Sequence, residues 1–330
     1  MKFSIIIPVY NVEKYIESCL NSVVHQLYKN IECIIVDDCS PDESMMIVTS
    51  FLARYKGDIE FKIVRHEKNK GLSAARNSGV KVATGDYLFF LDSDDELPFD
   101  AMKLFVGYLK EYGKVDFLIG NFEVLGSLSY PPLQADIFLD SRDEILDAYI
   151  QGKWYVMAWG KLINREFFIQ KNLWFKDGLL HEDELFSFRL AMFASKMITV
   201  KENVYKYVIR CNSIMTSKKE KNYWDYLWVV TENVKLACEQ IAITSYGGFY
   251  SYFVSLLYIH SFAILNEKRI DVDRKKAMIC EIRKLLTSIR SMRNKCSVKT
   301  WLKCCTLRAP YWVIFMSTKI HSRVREFCKC

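Results

Sequence analysis

Four carboxylates fall within five positions, Asp92-Ser93-Asp94-Asp95-Glu96, directly after the apolar run Leu88-Phe89-Phe90-Leu91. Like charges packed this closely disfavour one another's ionised forms, and a divalent cation relieves the repulsion. Oxygen-only ligands select Mg2+ or Mn2+. A Mg2+ held by one or two protein carboxylates keeps water and substrate phosphates as its other ligands. Strand alternation would set Asp92 and Asp94 on one side, one meeting the ion directly and the other through water or a sugar. A helix–loop–helix calcium site would need a longer ligand array and a turn glycine, which this segment lacks.

A second acidic pair, Asp37-Asp38, ends another apolar run and precedes Cys39-Ser40-Pro41-Asp42. A carboxylate there can accept from a base N–H or a ribose hydroxyl. A helix N-cap would account for Asp42 but not for the pair. In Asn69-Lys70-Gly71-Leu72-Ser73-Ala74-Ala75-Arg76-Asn77, Gly71 permits a tight turn into a helix and Ser73 and Ala74 permit close approach. Arg76, one turn in, is within reach of a nucleotide; taken alone, it also reads as an ordinary surface arginine. His181-Glu182-Asp183-Glu184 opens a further helix, whose dipole favours ionised carboxylates at that end. Acidic capping is the plain alternative.

The elements that must carry these residues follow from the hydrophobic pattern. Short apolar runs at 3–9, 31–36, 61–64 and 87–91 alternate with helix-length segments at 12–27, 43–55 and 72–83. Strand–helix alternation with continuously apolar strands predicts a parallel, doubly wound α/β sheet. Ligands on such sheets bind at the carboxyl ends of the strands, where the polar motifs above collect. A helix at 101–112 and a strand at 115–122 come next. Ser141-Arg142-Asp143-Glu144 has the capping-box pattern and opens a helix to 149. Segment 153–168 is rich in Trp and Gly, 185–194 reads as an amphipathic helix and 198–208 as a strand. Beyond 221 the chain reads as helical. The composition shift near 215–221 divides it into 1–218, itself split at 125/126, and a basic helical region at 219–330.

With 51% hydrophobic and 26% charged residues, the 330-residue chain is of ordinary globular composition, not disordered or collagen-like. Its net charge of +7 is unevenly placed. Residues 266–330 hold 17 Lys/Arg against 5 Asp/Glu, and the rest holds 29 against 34. Met1-Lys2 runs straight into the first strand, which predicts no signal peptide and, for the 11 cysteines, reduced thiols in the cytosol. Cys304-Cys305, Cys328-x-Cys330 and His321 match no standard zinc spacing. The uncharged stretch 241–265 carries Thr, Ser, Gly, Tyr and His260, which favours a buried aromatic helix over a membrane span.

Four motifs, SIIIPVYN at 4–11, VDDCSPD at 36–42, NKGLSAARN at 69–77 and GDYLFFLDSDD at 85–95, together resemble glycosyltransferase family 2, the inverting nucleotide-sugar transferases of the GT-A fold. The resemblance is close to about residue 125. It continues loosely through WGKL at 159–162, HEDELF at 181–186 and YKYVIRCNSIM at 205–215. It implies an α/β fold with a mixed GT-A sheet and flanking helices, 1–218 being the catalytic domain with a nucleotide-sugar half and an acceptor half. Pro8, Tyr10, Asn11, Asp38 and Arg76 would line the nucleotide site, with Asp38 accepting from the base. Asp92, beside Ser93, would contact the ribose or sugar, and Asp94 would be the direct ligand of Mn2+ or Mg2+. The family's acidic pair corresponds to Glu182-Asp183, with Asp183 as base and Glu182 as the fallback. Cys39 replaces a usual glycine and alters that turn. Trp159, Lys161 and His181 are acceptor-side candidates, core packing being the alternative for Trp159. Arg210 and Ser213 are candidates to close over the diphosphate.

The expected reaction is transfer from a nucleotide-diphospho-sugar, UDP by family frequency, to a glycan or lipid-linked glycan in surface polysaccharide synthesis. Two rivals stand beside it. A sugar-phosphate nucleotidyltransferase would want a basic, glycine-rich loop where Pro8-Val9-Tyr10-Asn11 stands. A non-catalytic nucleotide-sugar-binding subunit would have no need of Asp94 and Asp183. Arg290, Arg293, Lys295, Lys299, Lys303 and Arg308, interleaved with Trp301 and Leu302, suit an interfacial helix on an anionic membrane. A solvated helical face is the other reading, and no motif supports nucleic acid. The expected location is the cytoplasm, at the inner face of the membrane.

Overall fold

The computed structural model describes residues 1–126, 130–209, 219–240, 247–293 and 296–316. The chain divides into two compact units, Met1–Cys211 and Asn212–Cys330.

The first unit is built on β1 (Phe3–Val9), α1 (Ile16–Val24), β2 (Ile31–Asp37), α2 (Ser44–Arg54), β3 (Glu60–Arg65), α3 (Leu72–Val82), β4 (Tyr87–Phe90) and α4 (Ala101–Tyr112). It continues with β5 (Phe117–Leu125), β6 (Phe138–Leu139), α5 (Arg142–Ile150), β7 (Lys161–Asn164), α6 (Arg165–Gln170), α7 (Glu182–Phe193) and β8 (Met197–Val208). The eight strands form one sheet in the order β3-β2-β1-β4-β7-β5-β8-β6. Strands β1 to β4 are mutually parallel. The wholly parallel sheet expected from strand–helix alternation is corrected at β7, which runs antiparallel to both β4 and β5. The mixed sheet implied by the family resemblance is the one present.

Each element has a local cause. Every residue of β1 is buried, as a strand covered by helices on both faces requires. The edge strand β3 is half-solvated instead. Helix α1 buries Ile16, Cys19, Leu20 and Val23, one face at helical spacing. Ser141 caps α5, its side chain accepting from the Glu144 N–H at 3.3 Å. Helix α3 lies so close to β1 that a Cβ on Gly79 would sit 2.3 Å from Ile6 Cγ2. That close packing sets the depth of α3, and α3 carries Arg76.

At the amino edge of the parallel strands, Glu32 is fully buried. Its carboxylate accepts from Ser4 Oγ (2.5 Å), Thr84 N (2.5 Å), Gly85 N (3.1 Å), Thr84 Oγ1 (2.8 Å) and Lys62 Nζ (2.8 Å), and pairs with Lys2 Nζ at 2.9 Å. Burial opposes its charge, but Lys62, Ser4, Thr84 and Lys2 outweigh it and hold Glu32 well below the usual carboxylate range.

The second unit contains α8 (Glu220–Gln240), α9 (Phe249–Asn266), α10 (Val272–Ser288) and α11 (Val298–Arg308). Helix α9 is long and apolar enough to cross a membrane by length and composition, with half of it buried within the chain. Its His260 Nε2 donates to the Tyr223 carbonyl at 3.0 Å. Helix α11 buries Thr300, Cys304 and Leu307 and exposes Val298, Trp301 and Leu302 on another face. Cys328, Cys330, His321 and the 241–246 segment lie outside the described residues.

Candidate active site

The carboxyl ends of β1, β2 and β4, the start of α3 and the start of α7 converge on one site. After β1, Pro8 is buried in the strand and Tyr10 stands 45% exposed. Asn11 follows in the left-handed region at φ 55°, its N–H donating to Ser40 Oγ at 2.8 Å. Ser40 in turn donates to Asp42 at 2.6 Å, and Asp42 accepts from the Glu13 N–H at 2.8 Å. The Ser-Pro-Asp turn therefore staples the exits of β1 and β2 together. Cys39, where the family pattern has glycine, adopts φ 58°, a conformation that costs an L-residue about 1 kcal/mol.

Asp38 is 3% exposed. Its Oδ1 accepts from Lys70 N at 2.8 Å and faces His66 Nδ1 at 2.7 Å, and its Oδ2 accepts from Gly71 N at 2.8 Å. The carboxylate thus holds the glycine turn that opens α3, where Gly71 takes φ 88°.

Arg76 is not a surface arginine. Only 2% exposed, it donates from Nη2 to Asp92 Oδ1 and from Nη1 to Glu182 Oε1, both at 2.9 Å. One planar guanidinium thereby joins two carboxylates whose motifs lie 90 residues apart, a geometry that suits arginine and not lysine. Its Cζ lies 5.2 Å from the Phe175 ring centroid. Phe175 is fixed by Asn77, which donates to its carbonyl (2.8 Å) and accepts from its N–H (3.0 Å). Arg76 Nε is buried without a hydrogen-bond partner among the described residues. Burial works against the guanidinium's charge, but Asp92 and Glu182 hold its pKa above the ordinary value.

The acidic cluster does not follow strand alternation, because β4 ends at Phe90 and residues 92–95 form a turn closed by the Asp95 N–H on the Asp92 carbonyl at 3.0 Å. Asp95 turns inward, accepting from Tyr205 Oη at 2.7 Å and Val208 N at 2.8 Å. Burial, then the Asp92 and Asp94 charges, push its pKa up to about 8. Ser93 is buried, while Asp92 and Asp94 are half-buried. These last two are the carboxylates that fit a divalent cation. No group of three or more His, Cys, Asp or Glu occurs among the described residues that could cage a metal. A hard cation that takes one or two carboxylates and completes its shell with water and phosphate suits such a pair.

Helix α7 begins at Glu182, a turn earlier than its apolar periodicity predicts. His181 precedes it at φ 65°. Burial pushes Glu182 and Asp183 up from the usual carboxylate range, against the opposing pull of Arg76. Glu184 is pushed up to about 7 by burial and by the Asp183 charge.

Two acceptor-side expectations are corrected. Trp159 is 6% exposed, stacked on Tyr205 (4.3 Å between centroids, 10° between planes) and on Tyr207 (5.7 Å). Its faces are covered, so the indole packs the core and offers no platform to a sugar. Lys161 is fully buried in β7, with Nζ donating to the Tyr155 and Met157 carbonyls and lying 4.6 Å from the Tyr155 ring centroid. It orders the segment before β7, and burial pushes its pKa well down. Arg210 and Ser213 lie outside the described residues. Sequence reasoning missed His66, Tyr205, Asn77 and Phe175. Asn77, the last residue of the third motif, and Tyr205, the first of the looser 205–215 stretch, carried a signal; His66 and Phe175 carried none.

Residues 4–170 match the family model of glycosyl transferase family 2. The chain is 31% identical over 279 residues to EpsH of Bacillus subtilis, covering 82% of this chain and 79% of EpsH. It is 34% identical over 235 residues to the glycosyltransferase GlyA of Streptococcus pneumoniae, covering 67% of this chain but only 32% of GlyA. The fold is shared with residues 1–349 of TarS, a poly(ribitol-phosphate) beta-N-acetylglucosaminyltransferase of Staphylococcus aureus, solved in complex with UDP-GlcNAc. That match has a TM-score of 0.63 and 21% identity, over 90% of this chain and 93% of the other. With its matching motifs gathered at one end of a mixed sheet, the chain belongs to glycosyl transferase family 2.

Proposed function

We propose that this protein transfers a hexose or N-acetylhexosamine, with inversion, from a UDP-sugar to a hydroxyl of a glycan or lipid-linked glycan in cell-surface polysaccharide synthesis. The observation that carries the reading is the Arg76 bridge, in which one guanidinium binds a carboxylate of the Asp92-x-Asp94 turn and one of the Glu182-Asp183 pair. Donor-side and base-side motifs then belong to one reaction centre, as a single in-line displacement requires.

In that reading Tyr10, Asn11 and Asp38 receive the nucleotide and Asp92 receives the ribose or sugar. Asp183 takes the proton of the acceptor hydroxyl. A carboxylate whose proton affinity is raised by burial is a stronger base than one in water, and matching pKa to task is how such groups gain efficiency. Asp94 and Asp92 would hold Mn2+ or Mg2+, which supplies Lewis-acid stabilisation to a leaving diphosphate. Arg76 keeps Asp92 and Glu182 in register. The UDP preference is supported by the sequence relationship to TarS, 28% identical over 216 residues and solved with UDP-GlcNAc, and the polysaccharide context by the relatives above. The basic helical region, with its exposed Trp301 and Leu302, supports a place on the anionic inner face of the cytoplasmic membrane. Flotation with vesicles containing an anionic lipid, and its loss at high salt, checks that placement.

The deciding experiment is thermal unfolding with UDP, GDP, dTDP or CMP, each with and without Mn2+. A ligand at 100 times its Kd adds about 2.7 kcal/mol to the folded state. Stabilisation by UDP that depends on Mn2+ is the expected result. Equal stabilisation by CMP, or none by any nucleotide, would overturn the donor assignment.

A further inference from the structure

His66 follows β3 immediately and is 8% exposed, with each ring nitrogen at hydrogen-bond distance from a partner. Nδ1 lies 2.7 Å from Asp38 Oδ1 and Nε2 lies 2.8 Å from Ser78 Oγ. Its main-chain N–H donates to the Asp37 carbonyl at 2.9 Å. An ionised carboxylate can only accept. Nδ1 therefore carries the proton towards Asp38, and in the neutral ring Nε2 accepts from the Ser78 hydroxyl. The tautomer is fixed by its surroundings.

The ring ties three parts of the site together. Asp38 ends the β2 motif, and its carboxylate also holds Lys70 and Gly71 at the turn into α3. Ser78 lies on α3 itself, two residues beyond Arg76. The depth of α3 is already set by Gly79 against Ile6, which leaves its entry turn and the aim of the Asp38 carboxylate to be fixed. We infer that His66 is a positioning residue for the donor, holding the Asp38 carboxylate and the 70–71 turn in the geometry that meets the nucleotide. It acts through Asp38 and stands apart from the acid–base groups of α7. The inference rests on the donor-site reading proposed above. It predicts control of donor affinity and not of the chemical step.

The test compares His66→Leu, His66→Asn and Ser78→Ala with wild type, using UDP-sugar turnover in the presence of Mn2+ and UDP binding by calorimetry. In His66→Asn, the amide Nδ2 takes the place of Nδ1 as a donor to Asp38. His66→Leu should raise the donor KM and the UDP Kd about tenfold with kcat within about twofold of wild type. His66→Asn should bring both constants back to within about threefold. Ser78→Ala, which removes one tether and leaves the ring, should raise KM by a smaller factor, and it decides the matter if His66→Leu does not fold. Unchanged KM in His66→Leu and Ser78→Ala, a fall confined to kcat, or an Asn variant no better than the Leu variant would each overturn the inference. Wild type failing to bind any nucleotide would instead remove the donor-site reading on which it depends.

Discussion

Carboxylates stand at both edges of the parallel strands, Glu32 fully buried and the Glu182-Asp183 pair half-buried, and they differ in how they are answered. At the amino edge, Glu32 is met by two lysines, two hydroxyls and two backbone N–H groups, and its charge is stabilised. At the carboxyl edge, Glu182 and Asp183 share the influence of one arginine, and burial wins, raising their affinity for protons. A carboxylate with every lone pair answered is a structural fixture. One held half-buried with few donors is prepared to exchange a proton. The number of donors separates Glu32 from the Glu182-Asp183 pair.

The largest expected break in this contrast is Asp183→Asn. It should lower kcat about 1,000-fold while leaving thermal stability unchanged or slightly higher, because it removes a carboxyl whose ionised form burial disfavours. In wild type the rate should fall as pH drops through a value above the usual aspartate range, since the base must be ionised. Sugar transfer measured against pH beside a melting curve checks both, and a variant with near wild-type kcat would erase the distinction between the edges.

Glu32→Ala reverses the pattern. It should cost about 3 kcal/mol of unfolding free energy, with kcat per folded molecule within about twofold of wild type. Because the folded pKa of Glu32 is depressed, its contribution is present above the unfolded value of about 4.3 and is lost as pH falls below it. Urea unfolding at pH 7 and pH 3.5 should therefore show the wild-type advantage shrinking in acid. An advantage undiminished in acid would mean that packing, not charge, is what Glu32 provides.

The smallest effect concerns backbone strain at the carboxyl edge. Cys39→Gly relieves a left-handed conformation worth about 1 kcal/mol, part of which the greater freedom of glycine in the unfolded chain cancels. A net gain of about 0.5 kcal/mol in chemical unfolding is expected, and a loss would show that the thiol side chain contributes more than its strain costs.

The sequence carried β1, β2 and β4 well because each is a largely apolar run ending in a polar motif, and β3, half-solvated at the edge, through its shorter apolar segment. Burial on both faces and ligand binding at the strand ends leave adjacent marks in the chain. Strands β6 and β7, of two and four residues, are too short for any period to show. The start of α7 was legible from its acidic first turn, Glu182, Asp183 and Glu184, and not from its apolar stripe, which begins only at Leu185. Within the site, the residue types were legible but their pairings were not. Arg76 with Glu182 and His66 with Asp38 are meetings across 106 and 28 positions, set by topology alone. Trp159 misled for the same reason: an aromatic residue looks alike in sequence whether it faces a sugar or two tyrosines.

The reversed strand β7 has a consequence for anyone recombining this protein with its relatives. It is threaded between β4 and β5, with Leu162 and Ile163 in register with Phe89 and Leu88 on one side and with Leu118 and Phe117 on the other. A crossover placed between residues 126 and 160, where parental segments look separable in the linear order, would set one parent's β7 between the other's β4 and β5. Hybrids intended to trade acceptors while keeping the donor should therefore carry residues 87–89, 117–119 and 161–164 from a single parent.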